Sequence, residues 1–361
     1  MKKFLLHPVT VTLLVIILIV LLPVFIGRGE LREYSDSELR DMALSRGMLP
    51  TPTTYKELLK VLDNPQNPLT PKKIELGREL FFDTLLSRDK TMNCASCHLL
   101  EDGGDDNQAV AVGYHGRANP FHLNSPTVLN AAFAKAQFWN ARAKDVEEQA
   151  GGPIQAPFEM NMTPKEVVER VKKNREYVAK FKDVFNADVN FKDLKNAIGA
   201  YERTLVTYGA YDKFLNGDNS AISKKAKRGM ALFFTQGCIG CHNGISIGGQ
   251  SIEMFPLRES LLDTVGLILN PDLKIKDSPF PFENKGGFLG KDDKLRFRVP
   301  ILRNIDRTSP YFHNGAVKEL KEVVRLMSKY QLGNEFTPKQ IDEVVEFLKT
   351  LNGKIVEYDI K

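Results

Sequence analysis

All four cysteines of the chain stand in two copies of one motif, Cys94-Ala95-Ser96-Cys97-His98 and Cys238-Ile239-Gly240-Cys241-His242. The C-x-x-C-H spacing lets two thiols add to the two vinyl groups on one edge of a haem, while the next residue turns its imidazole under the iron as proximal ligand. Three other chemistries use paired cysteines: a structural zinc site, a thioredoxin-like dithiol, and simple disulfides in an exported chain. A zinc site has no need of a His directly after the second Cys, and a dithiol motif sits on a strand-to-helix turn. Disulfides give no reason for the duplicated His. Two covalently bound haems c are therefore expected, attached at Cys94, Cys97, Cys238 and Cys241 and ligated by His98 and His242.

What fills the sixth position of each iron separates carriers of electrons from catalysts. A Met or a second His there favours electron transfer, whereas an open or releasable position favours peroxide chemistry. The chain has six His. With His98 and His242 assigned and His7 in the leader, His115, His122 and His313 are the candidates. Met327, in Leu326-Met327-Ser328, lies far enough downstream of the second motif for the chain to fold back over that haem, although a lone Met is more often ordinary core packing.

These residues need a frame, and 361 residues are enough for two domains with separate cores. The fold class expected is mainly α: two c-type cytochrome domains, each around one haem, behind an N-terminal transmembrane helix. Lys2 and Lys3 precede an unbroken apolar run from Val9 to Ile26. About 17 to 25 such residues cross a bilayer, and leading positive charge keeps that end cytoplasmic. Residues 1–29 are thus read as an anchor, or as a signal peptide, although no small-residue cleavage pattern follows the run. Either way the rest is exported, to the periplasmic side of the inner membrane if anchored or as a soluble periplasmic protein if cleaved.

Residues 30–69 read as a stalk or linker, with Ser35 and Glu38 spaced as a capping box and Pro50 and Pro52 closing the helix. A helical run begins near Thr70-Pro71 and carries Ile74, Leu76, Leu80 and Phe81. Three-and-four apolar spacing predicts further helices over Pro164–Lys173, Phe191–Tyr208, Ile222–Phe234 and Pro338–Leu351. Gly77-Arg78-Glu79-Leu80-Phe81-Phe82 before one Cys pair is echoed by Gly229-Met230-Ala231-Leu232-Phe233-Phe234 before the other, as in a duplicated unit. The turn-rich Asn216–Ser220 suggests a boundary near residue 210, giving haem domains over 70–210 and 211–361. A net charge of +5 is too slight and too dispersed for a nucleic-acid partner. The cluster Lys224, Lys225, Lys227 and Arg228 is either a solvated helix face or a patch steering an acidic electron donor.

The stretch Asn124-Ser125-Pro126-Thr127-Val128-Leu129-Asn130 through Ala136-Gln137-Phe138-Trp139 resembles the bacterial di-haem cytochrome c peroxidases. So do Gly113-Tyr114-His115-Gly116, Gly152-Pro153-Ile154-Gln155, Phe158-Glu159-Met160, Leu302-Arg303-Asn304-Ile305 and Ser309-Pro310-Tyr311-Phe312-His313-Asn314-Gly315. The resemblance covers roughly residues 70 to 350. It implies a peroxidatic, low-potential haem at His98 and an electron-accepting, high-potential haem at His242, with His115 as releasable distal ligand of the first iron and Met327 as permanent ligand of the second. Thioether ligation raises a haem potential relative to bis-His ligation, in keeping with that division.

The same resemblance makes Glu159 the acid–base that takes a proton from peroxide and returns it to the leaving oxygen, with Gln149 as a neighbouring amide. By type alone Glu159 is an ordinary surface acid. Trp139, the only Trp, is by type an apolar anchor, and by resemblance conveys electrons between the haems. A calcium ion is implied at Asn124, Thr308 and Pro310, as are a homodimer and a small c-type cytochrome or blue copper donor. A related enzyme class that oxidises Trp residues of a partner protein uses Tyr where Met327 stands and lacks the distal His. A purely electron-carrying di-haem cytochrome would keep both irons six-coordinate.

Overall fold

The computed structural model describes residues 32–257 and 280–360. The expected anchor over Val9–Ile26 lies outside the described residues. Among the described residues no helix is long and apolar enough to cross a membrane. Helices dominate: α1 (Asp36–Leu44), α2 (Tyr55–Leu62), α3 (Pro71–Phe82), α4 (Val146–Gln155), α5 (Pro164–Lys172), α6 (Arg175–Phe185), α7 (Phe191–Glu202), α8 (Ala210–Leu215), α9 (Lys224–Thr235), α10 (Leu320–Leu326) and α11 (Pro338–Lys349). The starts follow sequence chemistry closely. Thr70, Thr163, Ser223 and Thr337 each cap a helix with the side-chain oxygen, three of them just ahead of Pro at the first turn.

The echo in the sequence is an echo in packing. Helix α3 crosses α7 at Gly77, where a Cβ would lie 1.8 Å from the Ala197 carbonyl oxygen; α9 crosses α11 at Gly229, where a Cβ would lie 1.8 Å from the Glu343 oxygen. Four residues on, Phe81 meets Tyr201 at 5.3 Å between ring centroids, and Phe233 meets Phe347 at 5.3 Å. Glycine allows the backbones to touch, and the aromatic pair locks the crossing angle. Around the first crossing, Leu76, Leu80, Leu194 and Ile198 are buried, while Met230, Val344 and Leu348 are buried around the second.

A second repeat joins the halves. Asn130 and Asn304 both adopt left-handed backbone and both open a short 3-10 turn. Their side chains converge on the Thr207 hydroxyl, at 2.9 and 3.1 Å. Nine residues beyond each stand Trp139 and His313, directly after Phe138 and Phe312, each of which has φ of 67°. The rings of Trp139 and His313 meet edge-on at 6.4 Å. Short antiparallel pairs complete the frame: β1 (Val112–Gly113) with β2 (Arg117–Ala118), β3 (Thr207–Gly209) with β6 (Gly353–Ile355), and β4 (Ile252–Met254) with β5 (Arg296–Arg298).

Two expectations change in detail. The helix expected to run to Tyr208 ends at Glu202, because Thr207 and Tyr208 are taken into the β3–β6 pair. In the stretch read as a stalk, the capping box of Ser35 and Glu38 is present. Yet Leu39, Ala43 and Met48 are fully buried, Asp36 pairs with Lys227 at 2.7 Å, and Arg40 donates to Asn219 at 2.6 Å. These contacts pack α1 onto the body. Lys227 and Arg228 of the basic cluster are likewise engaged, with Asp36 and Glu343, which leaves Lys224 and Lys225 exposed.

Candidate functional site

Both C-x-x-C-H motifs fold into the same single 3-10 turn. Cys97 N donates to Cys94 O at 3.2 Å and His98 N to the same oxygen at 3.1 Å; the counterparts at Cys241 and His242 are 3.3 and 2.9 Å. The four cysteines form no disulfide. Burial pushes the Cys97 and Cys238 thiols up to about 12, and Cys94 and Cys241 also upward. A redox dithiol needs the opposite shift. Burial also holds His98 and His242 neutral, the latter down to about 4.

These residues fit haem c at each motif. His98 Nδ1 lies 3.0 Å from the Gly104 carbonyl, so it carries the proton and donates it, leaving Nε2 as the ligating lone pair. At the second motif, Cys238, Cys241, His242 and Met327 line one largely apolar cavity together with Trp139 and Arg298. Met327 opens a π-helical turn, Met327–Gln331, that continues α10. Ser328 ties this turn down, donating to Arg325 O at 2.8 Å and accepting from Phe336 N at 3.1 Å. Such π turns recur at functional sites.

The surroundings of the first motif differ. His115 sits at the tip of the β1–β2 hairpin with φ of 54°, its side chain 63% exposed and 3.9 Å from Asp89, its ring stacked on Tyr114 at 4.0 Å. The hairpin is bonded to the segment bearing Glu159, because Tyr114 N donates to Glu159 O at 2.8 Å. A Cβ at Gly113 would lie 2.2 Å from the Phe158 oxygen, so the two backbones touch. Glu159 is half-buried. Desolvation pushes its carboxyl up to about 7 against the opposing pull of Arg142. It stands close enough to the motif for its charge to raise the Cys97 thiol. Gln149 lies half-buried on α4, the helix that runs toward Glu159, and Gly152 on that helix makes room for the Phe138 ring.

Trp139 is 8% exposed and donates from Nε1 to Asn124 O at 2.9 Å. The Asn124 amide nitrogen donates to Pro310 O at 3.3 Å, and Thr308 lines the same cavity wall. His313 is buried among Phe280, Phe282, Phe288 and Phe297 with Nε2 2.9 Å from Asn284 Oδ1, whereas His122 is half-buried on a loop. Sequence reasoning gave no reason to single out Arg142, whose guanidinium covers the Phe138 ring at 3.4 Å. Nor did it mark Asp105, fully buried and held up to about 7 by burial and by Asp106. These roles come from contacts distant in sequence.

Residues 71–220 match the family model described as di-haem cytochrome c peroxidase. The cytochrome c551 peroxidase of Pseudomonas aeruginosa is 41% identical over 302 residues, 81% of this chain and 83% of that protein. That of Nitrosomonas europaea is 39% identical over 289 residues, 77% of this chain and 79% of that protein. A solved MauG-like protein associated with microbial copper homeostasis superposes with a TM-score of 0.65 at 25% identity, covering 81% of this chain and 92% of that one. By this identity across both C-x-x-C-H motifs and the residues between them, the chain belongs to the di-haem cytochrome c peroxidase family.

Proposed function

We propose that this chain reduces hydrogen peroxide to water at the His98 centre, using electrons received at the His242 centre from a small c-type cytochrome or a blue copper protein. The observation that carries this reading is the placement of Glu159: a carboxyl with pKa near 7, beside the first motif, on a segment bonded to the His115 hairpin. Haem bound at the two motifs supplies one-electron redox chemistry and an iron site for peroxide.

The chain's own residues supply the rest. A carboxylate with pKa near the working pH can both accept and return a proton. Glu159 takes the proton from one peroxide oxygen and delivers it to the other as water leaves, and Gln149 offers an amide hydrogen bond to the same oxygens. His115 serves as the distal group that withdraws, a reading supported by its exposed side chain at the tip of a short hairpin. Trp139 conducts electrons between the centres, fixed by its bond to Asn124. Met327, which lines the same cavity as His242, would be the permanent ligand of the second haem, a role that favours the peroxidase over relatives that use Tyr there.

The two halves, 70–210 and 211–361, are thus two haem domains with different tasks. Asn124, Thr308 and Pro310, which line one cavity, would hold a calcium ion at the junction of the halves through oxygen donors. Lys2, Lys3 and the apolar run Val9–Ile26 support a body on the periplasmic side of the inner membrane, tethered or released, acting as a homodimer.

A visible and electron paramagnetic resonance titration from oxidised to half-reduced protein, with peroxide turnover assayed at each stage, tests the reading. One haem passing from low to high spin as activity turns on is the expected result. Two haems that stay low spin while peroxide is ignored would make the chain an electron carrier.

A further inference from the structure

Arg298 ends strand β5 and is 4% exposed, yet its Nε and Nη1 have no hydrogen-bond partner among the described residues. Among the described residues no ion pair engages it either, although the other two buried guanidinium groups there each have one: Arg303 is bonded to Asp212 at 2.8 and 2.9 Å, and Arg203 to Glu147. Burial alone pulls the Arg298 pKa down, to about 10, with no carboxylate among the described residues opposing the shift. An uncompensated charge of this kind costs several kcal/mol. The side chain lines the cavity shared by Cys238, Cys241, His242 and Met327. Glu253 lines it too, but does not neutralise Arg298.

We propose that Arg298 binds a propionate carboxylate of the haem at the second motif, and that this ion pair helps to keep that centre at high potential. The propionates are the anionic groups haem c carries, and a guanidinium is the donor best shaped to hold a carboxylate through two parallel bonds. The pair has a further consequence through the backbone. Arg298 N donates to Trp139 O at 2.9 Å, so the residue that grips the cofactor also fixes the aromatic group between the two centres. Leaving a propionate negative and unpaired favours the oxidised, more positive iron, so loss of the guanidinium lowers the potential.

The inference rests on the two-haem reading above, and the test separates the two. Arg298→Gln and Arg298→Lys are prepared as holoproteins, haem c is counted per chain, and each centre is titrated spectroelectrochemically. A hydrogen bond to a charged group is worth about 1.5–3 kcal/mol, so Arg298→Gln is expected to lower the reduction equilibrium of the Met327-ligated haem by roughly tenfold or more, about 59 mV per tenfold for one electron. The His98 centre should stay unchanged, and Arg298→Lys should fall between. Where Arg298→Gln fails to retain its haem, Arg298→Lys decides: a smaller downward shift upholds the pair and an unchanged potential overturns it. Arg298→Gln with both haems present and an unchanged potential overturns it as well. Fewer than two haems in the unsubstituted protein would instead overturn the reading of the site.

Discussion

The two C-x-x-C-H units share a scaffold down to the glycine and the aromatic pair at the helix crossing, and share the turn that presents the thiols. They part company on the side away from the motif. Around His242 the chain closes an apolar cavity lined by the Met327 thioether, on a π turn pinned by Ser328. Around His98 it brings instead a hairpin with an exposed imidazole and a carboxyl raised toward neutrality. A duplicated frame therefore presents the two motifs alike, and on the proposed reading the elements outside that frame are what give the two centres different tasks.

The sharpest way to break this contrast is to take the acid–base from the first centre alone. Glu159→Gln is expected to cut kcat for peroxide by about 100- to 10,000-fold, with haem content and the second centre's spectrum unchanged. In the unsubstituted enzyme the ionised carboxylate is the working form. Activity should thus fall as pH drops through about 7, and Glu159→Gln should lose this acid limb. Met327→Ala probes the other centre: it should turn the second haem high spin and slow electron entry, seen as lost turnover with donor but not as lost peroxide binding.

The shared half of the comparison is tested by adding one methyl group. Gly77→Ala and Gly229→Ala each put a Cβ 1.8 Å from a carbonyl oxygen, so each crossing must open. Overpacking of that kind costs about 1–3 kcal/mol or more. Matching losses in denaturant unfolding of the holoprotein would show that the two crossings are equivalent. A loss at only one would show that the echo is one of sequence rather than of energetics.

The sequence was most informative where the chemistry is local. The haem motifs, the Thr70-Pro71 and Thr337-Pro338 starts and the Ser35–Glu38 box all depend on residues within one turn of each other. Helix α4 was not among the predicted helices, since Gly151, Gly152 and Pro153 interrupt its apolar spacing; the helix tolerates them since Gly152 accommodates Phe138, a contact from outside the segment. The packing of Leu39 and Met48 was equally invisible, because a short polar helix with a few apolar residues looks the same whether it spans a gap or covers a core. Glu159 was legible only by resemblance. What raises its pKa is the company of elements far along the chain.

The smallest expected effect tests that company directly. Arg142 is exposed, stacked on Phe138, and draws the Glu159 carboxyl downward while burial pushes it up. Arg142→Gln removes the downward pull, so the Glu159 pKa rises further and the acid limb of kcat/KM moves to higher pH. The move should be less than about one unit, because an exposed charge pair is worth about 1 kcal/mol at most. Salt supplies an independent check. Screening weakens the interaction between Arg142 and Glu159, so added salt should move the limb of the unsubstituted enzyme in the same direction as the substitution, and should leave the Arg142→Gln limb nearly still. A limb that responds to salt equally in both proteins would assign the shift to other charges and leave burial as the sole control on Glu159.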